Sequence, residues 1–180
     1  MPTQAARPQQ DGTLQEFQVL VGADFPFEAI DDSFDGTNDG DTTTVNIGRG
    51  HRISFPFLNQ FSTPDIVPTS VLIRVVARKE GVPPVSIQIG MYQGGDIQVG
   101  ADIVLTNSHV EYTRTFATNP FTGAAWAKGD LVAVQILAQL AVFPHGTSRI
   151  TLLNGEITYE LPTNWSGNPY RVGRRGRFTT

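Results

Sequence analysis

Short segments in which apolar and polar residues alternate recur along this chain, and no segment has the 3.6-residue apolar period of a long amphipathic helix. The clearest example spans residues 85–93, with the sequence VSIQIGMYQ. Successive side chains of a strand point to opposite faces, so one face of this segment is apolar and the other is mainly polar. Such a strand is half-buried, which is typical of an antiparallel sheet with one face at the protein surface.

Further strands are expected at 14–21, 71–78, 110–116 and 131–142, separated by turns. The chain of 180 residues contains 18 Gly and 12 Pro, which supply the turn positions. Many short strands with almost no helix predict an all-β fold, an antiparallel β-sandwich of jelly-roll type. A β-barrel is the alternative.

Two local predictions concern the second half of the chain. One short helical turn is expected at 123–129, GAAWAKG, with Asn119 or Thr122 as its cap. A final hairpin is expected within 148–161, because Asn154-Gly155 is a dipeptide that type I′ turns prefer.

Composition divides the chain into three parts. Residues 1–12 are polar and rich in Pro and Gln, which predicts a flexible N-terminal arm. Residues 13–162 are expected to form a single β-sandwich domain, and residues 163–180 a basic C-terminal tail. Because no run of 18 apolar residues and no signal peptide are found, we expect a protein that does not bind membranes.

The absence of cysteine and the scarcity of histidine limit the chemistry of the chain. Without cysteine there is no disulfide, no thiolate nucleophile and no Cys-ligated zinc. The three His residues, His51, His109 and His145, are far apart and have no metal-ligand spacing. No nucleophile elbow, Walker A motif or zinc protease motif is found either. We therefore expect no enzyme and no cofactor.

The net charge of -4, from 13 Lys+Arg and 17 Asp+Glu, conceals an acidic segment near the start of the chain. Closely spaced carboxylates with glycines between them could hold Ca²⁺, although the spacing does not match an EF-hand. A solvated turn-rich loop and a docking site for an Arg-rich segment of a neighbouring subunit are the alternatives. The calcium candidates are Asp31, Asp32, Asp35, Asp39 and Asp41.

The C-terminal tail carries the opposite charge, and arginine is its only basic residue type. Arginine suits bidentate contacts with carboxylates or phosphates, so we expect this tail to bind a partner protein. Nucleic acid is disfavoured because the rest of the chain is acidic, and a disordered solubilising end is the alternative. The candidate partner-binding residues are Arg171, Arg174, Arg175, Arg177 and Phe178.

Three local patterns carry a resemblance to a protein family. They are FEAIDD at 27–32 followed by DGDTTTV at 39–45, VLIRVVARK at 71–79, and Trp126 followed by GDLVAV at 129–134. In this order they resemble the small β-sandwich structural proteins of tailed bacteriophages. The resemblance covers about residues 25–137 and includes no catalytic signature.

The resemblance implies a capsid decoration (cement) protein that stabilises the assembled head. It further implies a homotrimer on the outer surface of the virion, made in the host cytoplasm, with the major capsid protein as partner. The alternative function is a carbohydrate- or receptor-binding module of a phage tail or head fibre. For that function Trp126 and Trp165 would be stacking platforms, unless they pack in the core or at a subunit contact.

Overall fold

A computed structural model describes residues 1–6, 12–16, 19–21, 44–48, 50–56, 66–82, 84–141 and 147–161. These residues form eleven strands and one short helix. The strands are β1 (Thr3–Ala6), β2 (Val19–Val21), β3 (Thr44–Ile47), β4 (Arg52–Pro56), β5 (Val67–Glu80), β6 (Ser86–Gln93), β7 (Asp96–Val99), β8 (Ile103–Val104), β9 (Val110–Phe116), β10 (Gln135–Leu140) and β11 (Thr147–Glu160), and the helix is α1 (Lys128–Ala133).

The strands form two antiparallel sheets that pack as a sandwich. Sheet A has the order β2-β3-β11-β5-β9, and β1 pairs with β11. Sheet B has the order β4-β10-β6-β7, and β8 pairs with β6. From β3 to β6 and again from β9 to β11, each strand lies in the sheet opposite to the strand before it. This alternation is the double Greek key of a jelly roll, so the predicted sandwich is confirmed.

The core between the sheets is formed by every second residue of the strands. Strands β5 and β11, each of 14 residues, pair along their length at the centre of sheet A. The predicted apolar face of residues 85–93 is confirmed, because its four apolar side chains are fully buried. Fully burying an aliphatic side chain contributes about 1.5–3 kcal/mol. The buried residues at the centre are Val71, Ile73, Val75, Ala77, Val85, Ile87, Ile89 and Met91.

The predicted hairpin at Asn154-Gly155 is wrong, because both residues lie inside the continuous strand β11. Asn154 pairs with Arg74 of β5, and Gly155 pairs with Ile73 on one side and Ala6 on the other. A strand with partners on both sides satisfies its backbone N–H and C=O groups. These pairings outweigh the local turn preference of the dipeptide.

The short helix begins later than predicted. Gly123 has a φ of 73°, a left-handed conformation that does not continue a helix. Asn119 and Thr122 instead stabilise the turn at 119–124, where each side chain accepts a backbone N–H bond. The helix starts at Lys128. The Asp130 side chain caps its N-terminus by accepting the backbone N–H of Ala127 at 2.8 Å. The strand predicted at 131–142 accordingly begins only at Gln135.

The N-terminal residues differ from the predicted arm in one respect. Within residues 1–12, Thr3–Ala6 form β1, which pairs with β11 from Gly155 to Thr158. Residues 7–11 and the tail 163–180 lie outside the part of the chain that is described. Among the described residues, no helix is long and apolar enough to span a membrane.

Candidate functional site

The outward face of sheet B carries a group of long polar side chains on three adjacent strands. Because Ile53, Ile87 and Ile136 point into the core, their neighbours along each strand point outward. We call this surface the glutamine face, and it consists of Arg52, Gln88, Tyr92, Gln135 and Gln139.

The strand register arranges these side chains in two polar rows across the sheet. In one row, Gln139 of β10 lies between Arg52 of β4 and Gln88 of β6. In the other row, Gln135 lies beside Tyr92 of β6. The two polar rows are four residues apart along each strand, which is about 13 Å, and adjacent strands are about 4.8 Å apart. The two rows therefore form a grid of polar groups with about 13 Å between the rows.

A row of small or buried residues separates the two polar rows. Ser54, Leu137 and Gly90 are aligned across β4, β10 and β6, and the first two are 0% exposed. Gly90 leaves no room for a side chain, since a Cβ atom there would lie 2.3 Å from the backbone oxygen of Gln98 in β7. Leu137 points outward and is fully buried, so neighbouring residues cover the face at this position.

The segment Gly12–Glu16 runs along the open edge of β4 and borders the glutamine face. Gly12 N–H donates to the carbonyl of Ser54 at 3.0 Å, and Ser54 N–H donates to the carbonyl of Leu14 at 2.9 Å. Gln135, which lies on β10, binds this segment. Its Oε1 accepts bonds from Thr13 N–H at 2.8 Å and from Ser54 Oγ–H at 2.6 Å. Its Nε2 donates to Thr13 Oγ1 at 2.8 Å. Both polar atoms of Gln135 are thus engaged within the protein.

Arg52 is paired with Glu16 of the same edge segment. Arg52 Nε donates to Glu16 Oε2 at 2.9 Å, and Arg52 Nη2 donates to Glu16 Oε1 at 2.8 Å. This bidentate bond lowers the pKa of Glu16 and raises the pKa of Arg52. Tyr92 makes a smaller electrostatic contribution to the raised pKa of Arg52.

The remaining members of the glutamine face differ in how far they are engaged. Gln88 Nε2 donates to Asp102 Oδ1, in the loop between β7 and β8, at 2.8 Å. The amide of Gln139 and the hydroxyl of Tyr92 have no hydrogen-bond partner among the described residues. Both side chains are half-buried. Within the described part of the chain, they are the polar groups of the face that remain unbonded.

Among the described residues, the outward face of sheet A carries more ion pairs than the face of sheet B, where Arg52–Glu16 is the one pair. Arg74 pairs with Glu111 at 2.9 Å and with Glu156 at 3.0 Å. Glu80 likewise pairs with Arg149 at 3.0 Å. Within the described residues this face carries ion pairs where sheet B carries amides.

The amide and tyrosine side chains on sheet B can bind a ligand through hydrogen bonds and ring contacts. An amide side chain both donates and accepts hydrogen bonds, and the tyrosine adds an apolar ring with a polar tip. In the described part of the chain, no group of three or more His, Asp or Glu side chains could hold a metal ion.

The partner-binding and calcium residues predicted from the sequence all lie outside the described residues, so the tail and calcium hypotheses stay predictions. Trp126 is described and is not a surface platform: it is 3% exposed, and its indole Nε1 donates to the carbonyl of Phe116 at 2.9 Å. Trp165 is outside the described residues. The predicted residues not described are Arg171, Arg174, Arg175, Arg177, Phe178, Asp31, Asp32, Asp35, Asp39 and Asp41.

Sequence reasoning missed the glutamine face although one signal for it was present. Gln135 and Gln139 interrupt an otherwise apolar segment at an even spacing, which in a strand places both on the same face. Gln88 was already assigned to the polar face of its strand. The sequence did not show that the two strands are adjacent, and that adjacency forms the site.

Comparisons with known proteins gave matches only among solved structures. No protein family and no curated protein matches the chain. The xylan-binding domain CBM22-1 of Paenibacillus barcinonensis Xyn10C is 11% identical, with a TM-score of 0.45 over 87% of this chain and 92% of that one. The xylan-binding module CBM15 is 13% identical, with a TM-score of 0.46 over 87% and 95%. TmCBM61, solved with β-1,4-galactotriose, is 9% identical, with a TM-score of 0.40 over 88% and 89%.

Proposed function

We propose that this protein is a non-catalytic carbohydrate-binding module that binds a polysaccharide on the glutamine face. The observation that carries the proposal is the grid of amide side chains on the same face as Tyr92, in which Gln139 and Tyr92 have no hydrogen-bond partner among the described residues. Each hydroxyl of a sugar is both a donor and an acceptor, and a glutamine amide can match either role.

The roles of the individual residues follow from their existing bonds. Tyr92 would pack its ring against a sugar ring, and Gln139 would bond to the hydroxyls from the adjacent strand. Gln88 would contribute its amide oxygen, because its amide nitrogen already donates to Asp102. Gln135 already holds Thr13 with its amide oxygen and one amide N–H, so without releasing Thr13 it can offer a ligand only its second N–H.

Affinity electrophoresis of the full chain tests this proposal. Gels would contain one neutral polysaccharide each: xylan, hydroxyethylcellulose, β-1,4-galactan or β-1,3-glucan. We expect retardation by at least one of them. We expect about tenfold weaker binding for Tyr92→Ala and for Gln139→Ala, the loss of about 1.4 kcal/mol that one good contact represents.

Thr113→Ala is the matched control, because Thr113 is an exposed residue on the outward face of sheet A. Retardation should be unchanged in this variant. A wild-type chain that none of the four polysaccharides retards would contradict the proposal. Equal retardation of wild type and both sheet B variants would contradict the location of the site.

Capsid decoration is a second proposal, supported by the resemblance at 27–45, 71–79 and 126–134. The two functions are compatible, since a decoration protein could present the glutamine face to glycans outside the virion. Co-sedimentation of the purified chain with capsids that lack it would test decoration, and mass measurement would test the trimer. A chain that stays in the supernatant would argue against decoration.

A further inference from the structure

We infer that Glu16 makes the glutamine face selective for uncharged glycans by occupying Arg52, the group that would otherwise bind a glycan carboxylate. The inference deepens the proposed function and rests on it. Its basis is the geometry of the Arg52–Glu16 pair and the distribution of charge around the face.

Arg52 is the only Lys or Arg residue in the five strands of sheet B. A guanidinium recognises a carboxylate through two parallel N–H bonds, and Arg52 already makes two such bonds to Glu16 at 2.8 and 2.9 Å. Glu16 therefore fills the position that the carboxylate of a uronic acid would take.

Glu16 is held in this position by the backbone of its own segment. Its N–H donates to the carbonyl of Arg52 at 2.8 Å, so side chain and backbone both bind the same residue. Two positions earlier, Leu14 accepts the N–H of Ser54 and extends the contact along β4. A ligand carboxylate would have to displace a pre-positioned group, which adds a cost to binding.

The charges around the face also oppose an anion. Arg52 contributes +1, while Glu16 and Asp102 contribute -1 each, so these three groups sum to -1. Repulsion of the wrong ligand is a common means of selectivity. Replacing Glu16 by Gln would change the sum to 0 and leave the guanidinium without a counter-charge. The amide keeps the size of the side chain but has only one acceptor oxygen for the two guanidinium N–H groups.

The test compares the wild type, Glu16→Gln and Glu111→Gln on two forms of each polysaccharide. One form is neutral and the other carries carboxymethyl groups on the same backbone. Glu111→Gln is the matched control, because it removes the same charge from an Arg–Glu pair of 2.9 Å on sheet A. Its carboxylate side chain is 46% exposed, close to the 39% of Glu16.

We expect the wild type and Glu111→Gln to bind the neutral form and to bind the carboxymethyl form at least about threefold more weakly. Glu16→Gln should bind the neutral form as before and the carboxymethyl form about three- to tenfold more tightly than the wild type does. Added salt should abolish this gain, because it depends on charge. The gain should also be lost in Glu16→Gln combined with Arg52→Gln.

The outcomes separate the inference from the function on which it rests. If the wild type binds neither form of any polysaccharide, the proposed function is wrong. If it binds both forms equally, or if Glu16→Gln and Glu111→Gln gain equally, carbohydrate binding stands and the role of Glu16 is wrong.

Discussion

Gln135 and Gln139 lie four residues apart on β10, and their side chains point to the same face. The structure gives them different roles. Substitution of each by Ala should separate these roles. Gln135 makes three hydrogen bonds: two to Thr13 hold the segment 12–16 to β10, and one from Ser54 joins β4 to β10. Gln139 makes none to the described residues. We predict that Gln135→Ala lowers stability, whereas Gln139→Ala lowers only ligand binding.

The size of the effect follows from the bonds that are lost. A net contribution of about 0.5–1.5 kcal/mol for each hydrogen bond gives about 1.5–4.5 kcal/mol for three. The bonds of Gln135 lie partly at the surface, where water replaces a lost partner, so we expect about 2 kcal/mol. Gln139→Ala should change stability by no more than about 0.5 kcal/mol.

Urea denaturation of the full chain measures both variants. With a slope of about 2 kcal/mol per M, the midpoint of Gln135→Ala should fall by about 1 M, and that of Gln139→Ala should stay constant. Hydrogen exchange adds a local measurement, because the N–H of Thr13 donates to Gln135 Oε1 and should exchange faster once that acceptor is removed.

Two results would refute this reasoning. An unchanged midpoint together with unchanged exchange at Thr13 would mean that Gln135 does not fasten the edge segment. A midpoint that falls equally in both variants would mean that Gln139 also has a structural partner, which would remove it from the free groups of the glutamine face.

Two further predictions concern packing and pH. Gly90→Ala should destabilise the fold by about 1–3 kcal/mol, measured by thermal unfolding, because the added Cβ would lie 2.3 Å from a backbone oxygen of β7; an unchanged melting temperature would show that β7 moves away freely. The pKa of Glu16 is lowered in the folded state by its pair with Arg52. The stability that this pair contributes is fully present above the ordinary pKa of 4.5, and it is lost as the pH falls through the lowered pKa. Stability measured from about pH 3 to about pH 6 should therefore rise less steeply in Glu16→Gln than in the wild type, and identical slopes would contradict the role of this pair.

Some features of the fold could be predicted from local sequence because they depend on periodicity alone. The alternation in residues 85–93 determines which side chains enter the core, whatever the partner strands are. Gly94 and Gly95 have φ of 60° and 106° and connect β6 to β7. Several such strands and turns together predict a sandwich, even when the contacts between distant residues are unknown.

Other features depended on which strands become neighbours. Asn154-Gly155 has a local preference for a turn, but its pairing with strands on both sides keeps it extended. That preference is a small local energy, whereas the pairing satisfies backbone groups along 14 residues. The sequence could not show that β11 has partners on both sides.

The candidate site depended on tertiary structure in the same way. The sequence by itself determined that Gln88 lies on a polar strand face, since this follows from alternation over a few residues. Only the tertiary structure placed Gln139 beside Gln88, and Glu16 on Arg52 across 36 positions of the chain. Contacts between distant residues depend on how all the strands pack together. Each contact contributes only about 1 kcal/mol, and it has no periodic pattern in the sequence that would predict it.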